Sequence, residues 1–268
     1  MATAPAEALL SVRNVSIRFG GIVALDDVSF EVRPESIVGL IGPNGAGKTT
    51  LFNCVTRVYQ PNGGDILVEG KSVLGDPPHV VIRKGIARTF QNVELFPRMT
   101  ALQNVLVGDH INIGGVGRWY ALFAAIGMPF TFRAEREAER RAREALEFAG
   151  VADVADKPVA GLPFGTLKAV ELARAIVSRP RLLLLDEPAG GLNHDEVLLL
   201  ADLIRKIHTE LEMTVLVVEH HMSLVMRVCD QVVCLDFGRK IADGTPQEVR
   251  SNPAVIEAYL GQEENGAA

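Results

Sequence analysis

Gly42-Pro43-Asn44-Gly45-Ala46-Gly47-Lys48-Thr49 is the stretch whose reading decides the fold. It matches G-x-x-x-x-G-K-[ST], a loop whose backbone N–H groups cradle a chain of phosphates. The apolar run Ile37-Val38-Gly39-Leu40-Ile41 before it reads as a buried strand, and Thr50-Leu51-Phe52-Asn53 after it starts a helix. That strand–loop–helix setting is the one the motif requires. The glycines let successive N–H groups turn inward, and the positive end of the helix adds to the attraction for anions. Lys48 is placed to reach the β- and γ-phosphates of a nucleotide, and the Thr49 hydroxyl to ligate Mg²⁺. The phosphate-binding set is therefore Gly42, Pro43, Asn44, Gly45, Ala46, Gly47, Lys48, Thr49 and Thr50.

Composition narrows the class of protein around this loop. The 268 residues, 48% of them hydrophobic, suffice for one large domain or for a core carrying an inserted lobe. The net charge is -6 and no extended basic tract occurs, which argues against nucleic acid as a partner. Cys54, Cys229 and Cys234 are odd in number and lack C-x-x-C spacing, and the first residues lack the basic start of an export signal. Buried thiols in a reducing cytoplasm are the expectation. No stretch reaches the ~18–20 apolar residues of a membrane span. Trp119–Phe132 (WYALFAAIGMPFTF) comes nearest, uncharged but short, with Pro129 set to break a helix crossing it. It reads either as an apolar surface for a membrane-spanning partner or the bilayer face, or as packing within its own lobe.

Leu10–Val15 alternates as a strand, Val28–Val32 forms another, and Asp65–Val68 runs into the turn Glu69-Gly70. These predict a short, mostly antiparallel sheet against the strand of the phosphate loop. Phe19, upstream of that strand, is either an adenine-stacking ring or a partly buried core residue, and spacing does not decide between them. Thr89-Phe90-Gln91-Asn92 reads as a short strand ending at a glutamine, after which the pattern turns helical from Thr100 to Ala160. Arg133–Ala149 is the clearest helix, with Glu137/Arg141 and Glu139/Arg143 in the favourable i,i+4 order and Gly150 at its end.

The second half carries the acids. Leu162-Pro163-Phe164-Gly165-Thr166 leads into a helix expected over Leu167–Ser178, whose first turn can present N–H groups to an anion. Four leucines, Leu182–Leu185, end in Asp186 and Glu187. Carboxylates at the C-terminal end of a parallel strand stand where ligands bind in open α/β sheets. Asp186 suits a water-mediated Mg²⁺ contact and Glu187 a general base for water. After a helix from about Asp195 to Leu211, the apolar strand Thr214–Val218 ends in Glu219-His220-His221. His220 is assigned to the γ-phosphate, and His221 is expected to face outward. Strands follow at Gln231–Leu235 and Lys240–Ala242, then short helices at Thr245–Arg250 and Pro253–Leu260.

In this order, Phe19, the Gly42–Thr49 loop, Gln91, Leu162–Thr166, Leu182–Glu187, Gly190–Asn193 and His220 resemble the ATP-binding subunits of ABC transporters, over roughly Leu9–Gly261. Ile86–Phe96, Ala189–Asn193, Val218–Met222, the insertion around His110–Arg133 and the ending Ala258-Tyr259-Leu260-Gly261 resemble the branched-chain amino-acid uptake type. The resemblance implies an α/β fold: a P-loop NTPase (RecA-like) core with an antiparallel β subdomain and an inserted helical lobe. The expected division is 8–91 for the first half of the core, 92–161 for the lobe, and 162–262 for the second half with the signature region.

It further implies ATP and Mg²⁺ as cofactors, with Gln91 joining Thr49 and Asp186 around the metal and signalling to transmembrane permease subunits through the lobe. Glu187 would polarise the attacking water, His220 would hold the γ-phosphate, and Lys48 and Gln91 would complete the catalytic set. Two such subunits would close over two ATP molecules, each donating its signature loop, here Pro163, Phe164, Gly165 and Thr166, to the other's site. The usual signature is Leu-Ser-Gly-Gly-Gln, with a tyrosine in place of the first Gly in the branched-chain group. Pro163 lacks both hydroxyl and N–H, and Asn193 stands where an aspartate is common. A heterodimer with a second ATPase subunit is therefore favoured over a homodimer. The implied function is ATP hydrolysis powering solute import from the cytoplasmic, inner face of the cell membrane. Lipid export, and an ABC-type ATPase acting on nucleic acid or ribosomes, are the alternatives, the latter disfavoured because no coiled-coil, zinc or second ATPase insertion occurs. A non-hydrolysing regulatory module is disfavoured by Glu187 and His220.

Overall fold

The computed structural model describes residues 8–89, 91–109 and 129–265. The elements of the first part are β1 (Leu10–Phe19), β2 (Ile22–Val32), β3 (Ile37–Ile41), α1 (Lys48–Val55), β4 (Gly63–Val68), β5 (Lys71–Ser72), α2 (Pro78–Arg83) and β6 (Ile86–Arg88). Helices α3 (Ala101–Gly108), α4 (Pro129–Phe148) and α5 (Phe164–Ile176) come next. The chain then runs through β7 (Leu182–Asp186), α6 (His194–Leu211), β8 (Thr214–Val218), α7 (Met222–Val228), β9 (Gln231–Asp236), β10 (Arg239–Gly244), α8 (Pro246–Arg250) and α9 (Pro253–Asn265). Contacts divide the chain into one unit of residues up to Ile86, Arg181–Ala189 and from Val197 onward, and a second of Ala87–Pro180 and Gly190–Glu196.

The first unit holds two sheets. β2-β1-β4-β5 form an antiparallel four-stranded sheet. The other sheet has the order β10-β9-β3-β8-β7-β6, with β6 the strand at which the chain leaves this unit. Within it β3 runs parallel to both β8 and β9, and β7 parallel to β8. Every residue of β3, β7 and β8 is buried, which is why these strands read as unbroken apolar runs rather than alternating ones. Register aligns the strand ends: Leu40 pairs with Val218 and Val218 with Asp186. The chain therefore leaves β3, β8 and β7 at one edge of the sheet, delivering the Gly42 loop, Glu219 and Glu187 together.

The antiparallel strands are longer than their alternation predicts. Register shifts between Val12 and Val15 and between Val15 and Ile17 mark an extra residue first on β1 and then on β2. Asn14 and Asp27 take positive φ there, and the Asn14 amide donates to the Asp27 carboxylate at 2.7 Å. The strand expected at 89–92 is also displaced: the extended segment is Ile86–Arg88, Gln91 lies in a bend, and Phe90 is outside the described residues. Gly85, just before it, accepts the N–H groups of Arg181 and Leu182 at 2.8 and 3.0 Å, so pairing starts earlier than the sequence pattern suggests. All three cysteines are buried, and burial pushes Cys54 up to about 11 and Cys229 and Cys234 to about 12, leaving neutral thiols.

In the second unit α3, α4 and α5 pack on one another. Thr100 and Gln103 close a capping box at the start of α3, and a Cβ on Gly108 would stand 2.0 Å from the Arg174 carbonyl oxygen, so only glycine permits this helix contact. The Arg141 guanidinium meets the buried Asp109 carboxylate at 2.6 Å. Glu137–Arg141 and Glu139–Arg143 form at 3.5 and 3.0 Å, as their spacing predicts. Helix α4 extends four residues further toward its N-terminus than the expected Arg133 start, with Pro129 first, where a missing N–H does no harm. The rest of the apolar stretch, Trp119–Met128, lies outside the described residues.

The grouping differs from the expected division: Ala87–Thr89 and Gln91 fall with the helical segment rather than with the first half of the core. Leu162–Pro180 and Gly190–Glu196 belong with the helical segment, not with the second half of the core. The cause is α5: it packs on α3 and α4, Lys168 donates to the Gln91 carbonyl at 3.1 Å, and Arg174 donates to that of Glu94.

Candidate functional site

The Gly42–Thr49 loop is shaped by close backbone contacts. A Cβ on Gly42 would stand 2.1 Å from the Leu235 carbonyl oxygen, and one on Gly47 2.6 Å from that of Ala24. Both glycines hold positive φ, 147° and 99°. No other residue fits either position. Inside the loop Ala46 N–H donates to the Pro43 carbonyl, while Gly238, on the β9–β10 turn, donates to the Ala46 carbonyl. Gly42 N–H donates to the Tyr259 hydroxyl at 3.0 Å. Asn44, Gly45 and Thr49 are exposed around the mouth and Thr50 is half-buried.

Lys48 is only 5% exposed, and its ammonium donates to the Gly42 and Pro43 carbonyl oxygens at 2.6 and 2.9 Å. Burial lowers its pKa from the usual lysine value, while nearby carboxylates, Glu187 foremost and then Asp186 and Glu219, oppose the fall. A cation so held, at the first residue of α1 and its positive end, suits phosphate oxygens.

Asp186 ends β7 in a buried position, and Glu187 follows outside the strand with φ 45° and its N–H on the Val218 carbonyl at 3.0 Å. This left-handed turn aims the second carboxylate away from the strand line. Its Oε2 lies 3.9 Å from His220 Nδ1. The His220 side chain is 46% exposed. The His221 side chain is 36% exposed, with its Nδ1 3.2 Å from Glu219 Oε2 and its ring tilted on that of His220, centroids 4.3 Å apart. Phe19 is 45% exposed at the end of β1, its ring in a T-shaped contact with that of Tyr59, centroids 5.1 Å apart.

The residue that sequence reasoning missed here is Glu219. It is fully buried, and both of its oxygens are used. Oε1 accepts Ala189 N–H at 2.8 Å, and Oε2 accepts the N–H groups of His220 and His221 at 2.9 and 3.0 Å. One carboxylate thereby ties the segment after Glu187 to the segment carrying His220. The signal was present: a charge directly after five apolar strand residues must find partners.

Gln91 and the signature residues belong to the second unit. Pro163 is the N-cap of α5, which starts at Phe164, three residues ahead of the expected Leu167. Phe164, Gly165 and Thr166 therefore form the first turn, whose N–H groups a helix leaves without intrahelical acceptors. The Phe164 ring packs on Gly191, where a Cβ would be 2.9 Å from it, and the Lys168 ammonium stands 5.7 Å from its centre. Asn193 accepts Glu196 N–H at 3.0 Å while Glu196 Oε2 accepts Asn193 N–H at 2.9 Å, a reciprocal cap on α6. An amide caps as well as a carboxylate, so the missing charge costs the fold little.

A parallel sheet whose central strand opens into a glycine-bound lysine loop, with acids at the end of a second strand and a histidine past the end of a third, defines a nucleoside-triphosphate-binding protein of the P-loop class. Comparison with known proteins narrows this. Residues 25–190 match the family described as ABC transporter, and residues 239–265 match that described as branched-chain amino acid ATP-binding cassette transporter. The chain is 44% identical to the high-affinity branched-chain amino acid transport ATP-binding protein BraF of Pseudomonas aeruginosa, across 95% of this chain and 98% of BraF. It is 42% identical to LivG of Escherichia coli K12, of the same description, with the same coverage. Among solved structures, MJ1267, an ATP-binding cassette of an ABC transporter in its ADP conformation, superposes with TM-score 0.81 at 30% identity, covering 95% of this chain and 99% of that one. The chain belongs to the ATP-binding proteins of the ABC transporter family. It binds and hydrolyses ATP, and among the described residues no helix is long and apolar enough to cross a membrane.

Glu219→Gln keeps the size and loses the charge that three N–H groups share. Turnover is expected to fall about 10-fold or more, since hydrogen bonds to charged groups contribute ~1.5–3 kcal/mol, while Mg-ADP affinity stays within about threefold. Steady-state phosphate release and calorimetric titration check this. Unchanged turnover would mean that Glu219 does not hold the Glu187–His220 geometry.

Proposed function

We propose that this chain is the ATP-hydrolysing subunit of an importer for branched-chain amino acids or related small solutes, working from the cytoplasmic face of the membrane with transmembrane permease subunits. The observation that carries the reading is the convergence of Lys48, Asp186, Glu187 and His220 at one edge of one sheet. The identities to BraF and LivG over nearly the whole chain support the solute class.

The chemistry asks mainly for positioning and charge. The Lys48 ammonium, held on its two loop carbonyls, keeps a third N–H for the β- and γ-phosphate oxygens, and N–H groups of the loop receive the remaining phosphate charge. Glu187 accepts a proton from the attacking water, and His220, beside it, donates to the γ-phosphate. The Thr49 hydroxyl and the Asp186 carboxylate are hard oxygen donors of the kind Mg²⁺ takes. Bound there, Mg²⁺ would neutralise charge on the β- and γ-oxygens. Phe19, exposed at the end of β1, stacks on adenine. The loop Pro163–Thr166 serves a partner subunit's site, and the segment from Gln91 relays occupancy to the permeases.

Glu187→Gln is expected to bind Mg-ATP normally and to lower turnover by about 10²–10⁴-fold, the range for a positioned base. Phosphate release from the assembled transporter reads it. Near wild-type turnover would remove Glu187 from that role.

The signature loop supports a heterodimer. Pro163 has no hydroxyl or N–H to offer a partner's γ-phosphate, and one lost charged hydrogen bond costs ~1.5–3 kcal/mol, roughly 10–100-fold in rate. Turnover at the site built on this chain's Lys48 is then expected to exceed turnover at the opposite site. Lys48→Ala here and the equivalent change in the partner's phosphate loop separate the two. Equal losses would mean that Pro163 carries no such consequence.

A further inference from the structure

The C-terminal helix α9 reaches the nucleotide loop through a single hydroxyl. Tyr259 accepts the Gly42 N–H at 3.0 Å, and the carbonyl of the same Gly42 accepts the Lys48 ammonium at 2.6 Å. The two polar groups of one glycine thus join α9 to the phosphate-binding lysine. The N–H in question is the first beyond β3, whose ladder to β9 closes at the Ile41–Cys234 pair, so no strand neighbour supplies an acceptor. Gly42 is itself buried and packed against the Leu235 carbonyl, and a shift of its Cα moves both the N–H held by Tyr259 and, through the next peptide, the carbonyl that holds Lys48.

We propose that Tyr259 is a positioning residue for the phosphate loop, and that docking of α9 and binding of nucleotide are thereby coupled. The proposal rests on the reading of Gly42–Thr49 as the ATP site. Two further features make the coupling strong enough to matter. First, α9 docks on a narrow face. Val255 is buried and Tyr259, one turn on, is partly buried, while Ile256 and Leu260 beside them are 45% and 57% exposed. Over residues 253–260, where Val255 is the one buried side chain, the Tyr259 hydrogen bond is a large share of what holds the helix. Second, burial, with Cys234 nearby, pushes the Tyr259 phenol up to about 12, so it stays a neutral hydroxyl across the physiological range. Linkage then works in both directions. Nucleotide that orders the loop tightens α9, and whatever loosens α9 weakens nucleotide binding by the same factor. The ending Ala258-Tyr259-Leu260-Gly261, within the matched segment 239–265, thereby gains a physical task.

The test uses the full chain with Mg-ADP as ligand. Calorimetric titration of wild type and Tyr259→Phe is expected to show about three- to tenfold weaker binding in the variant. Amide hydrogen exchange over residues 253–260 is read alongside, with and without Mg-ADP. In the wild type, exchange is expected to slow when ADP is added, and in Tyr259→Phe to become insensitive to ADP, a response that loss of packing alone would not abolish. Equal affinities, or wild-type exchange over 253–260 that ignores ADP, would overturn the coupling. The wild-type exchange measurement decides even if the variant fails to fold. A wild-type chain that binds no ADP would instead contradict the nucleotide reading itself.

Discussion

A buried ammonium at the edge of a parallel sheet is the interaction on which the rest of this structure depends. Lys48 is taken out of water and held on the carbonyl oxygens of Gly42 and Pro43. Burying a cation is unfavourable unless it is paired and hydrogen-bonded. Here the two carbonyls satisfy it, and Glu187, Asp186 and Glu219 contribute negative charge from the ends of β7 and β8. The strand order that brings those ends together, and the two glycines that let the loop press against Leu235 and Ala24, serve this one arrangement. A positive centre already in place at the start of α1 is poised to receive a polyphosphate.

The buried half of the fold was legible because its physics is local. β3, β7 and β8 are covered on both faces, so each appears as an apolar run, and the change of residue type after each run marks where the strand stops. The antiparallel sheet was harder. Its alternation is broken at Asn14 and Asp27, where an extra residue and a positive φ shift the register, so β1 and β2 read as shorter pieces than they are. The start of α5 was misplaced because Phe164 and Gly165 resemble loop residues. Their helical conformation follows from the Leu167 N–H bonding the Pro163 carbonyl at 3.0 Å and from packing on α3 and α4.

Within the site, the residues legible from sequence were those whose chemistry depends on a fixed local frame: the loop, Lys48, Thr49, and the acid pair after four leucines. Glu219 and Tyr259 were not, since each acts through a segment distant in sequence. Glu219 links to Ala189 across 30 residues, and Tyr259 to Gly42 across 217. The placement of His221 followed the same logic, because its ring is drawn to a carboxylate whose burial the sequence did not reveal. Long-range polar contacts are what a pattern along the chain does not record.

The central claim is that the Gly42–Thr49 loop and Lys48 form a receptor for the phosphates beyond the α-position. Calorimetric titration of the full chain with ADP and with AMP, each with Mg²⁺, tests it directly. The account expects ADP to bind and AMP to bind at least about 100-fold more weakly, the loss of roughly two charge-assisted hydrogen bonds. Equal affinity for the two nucleotides would contradict it.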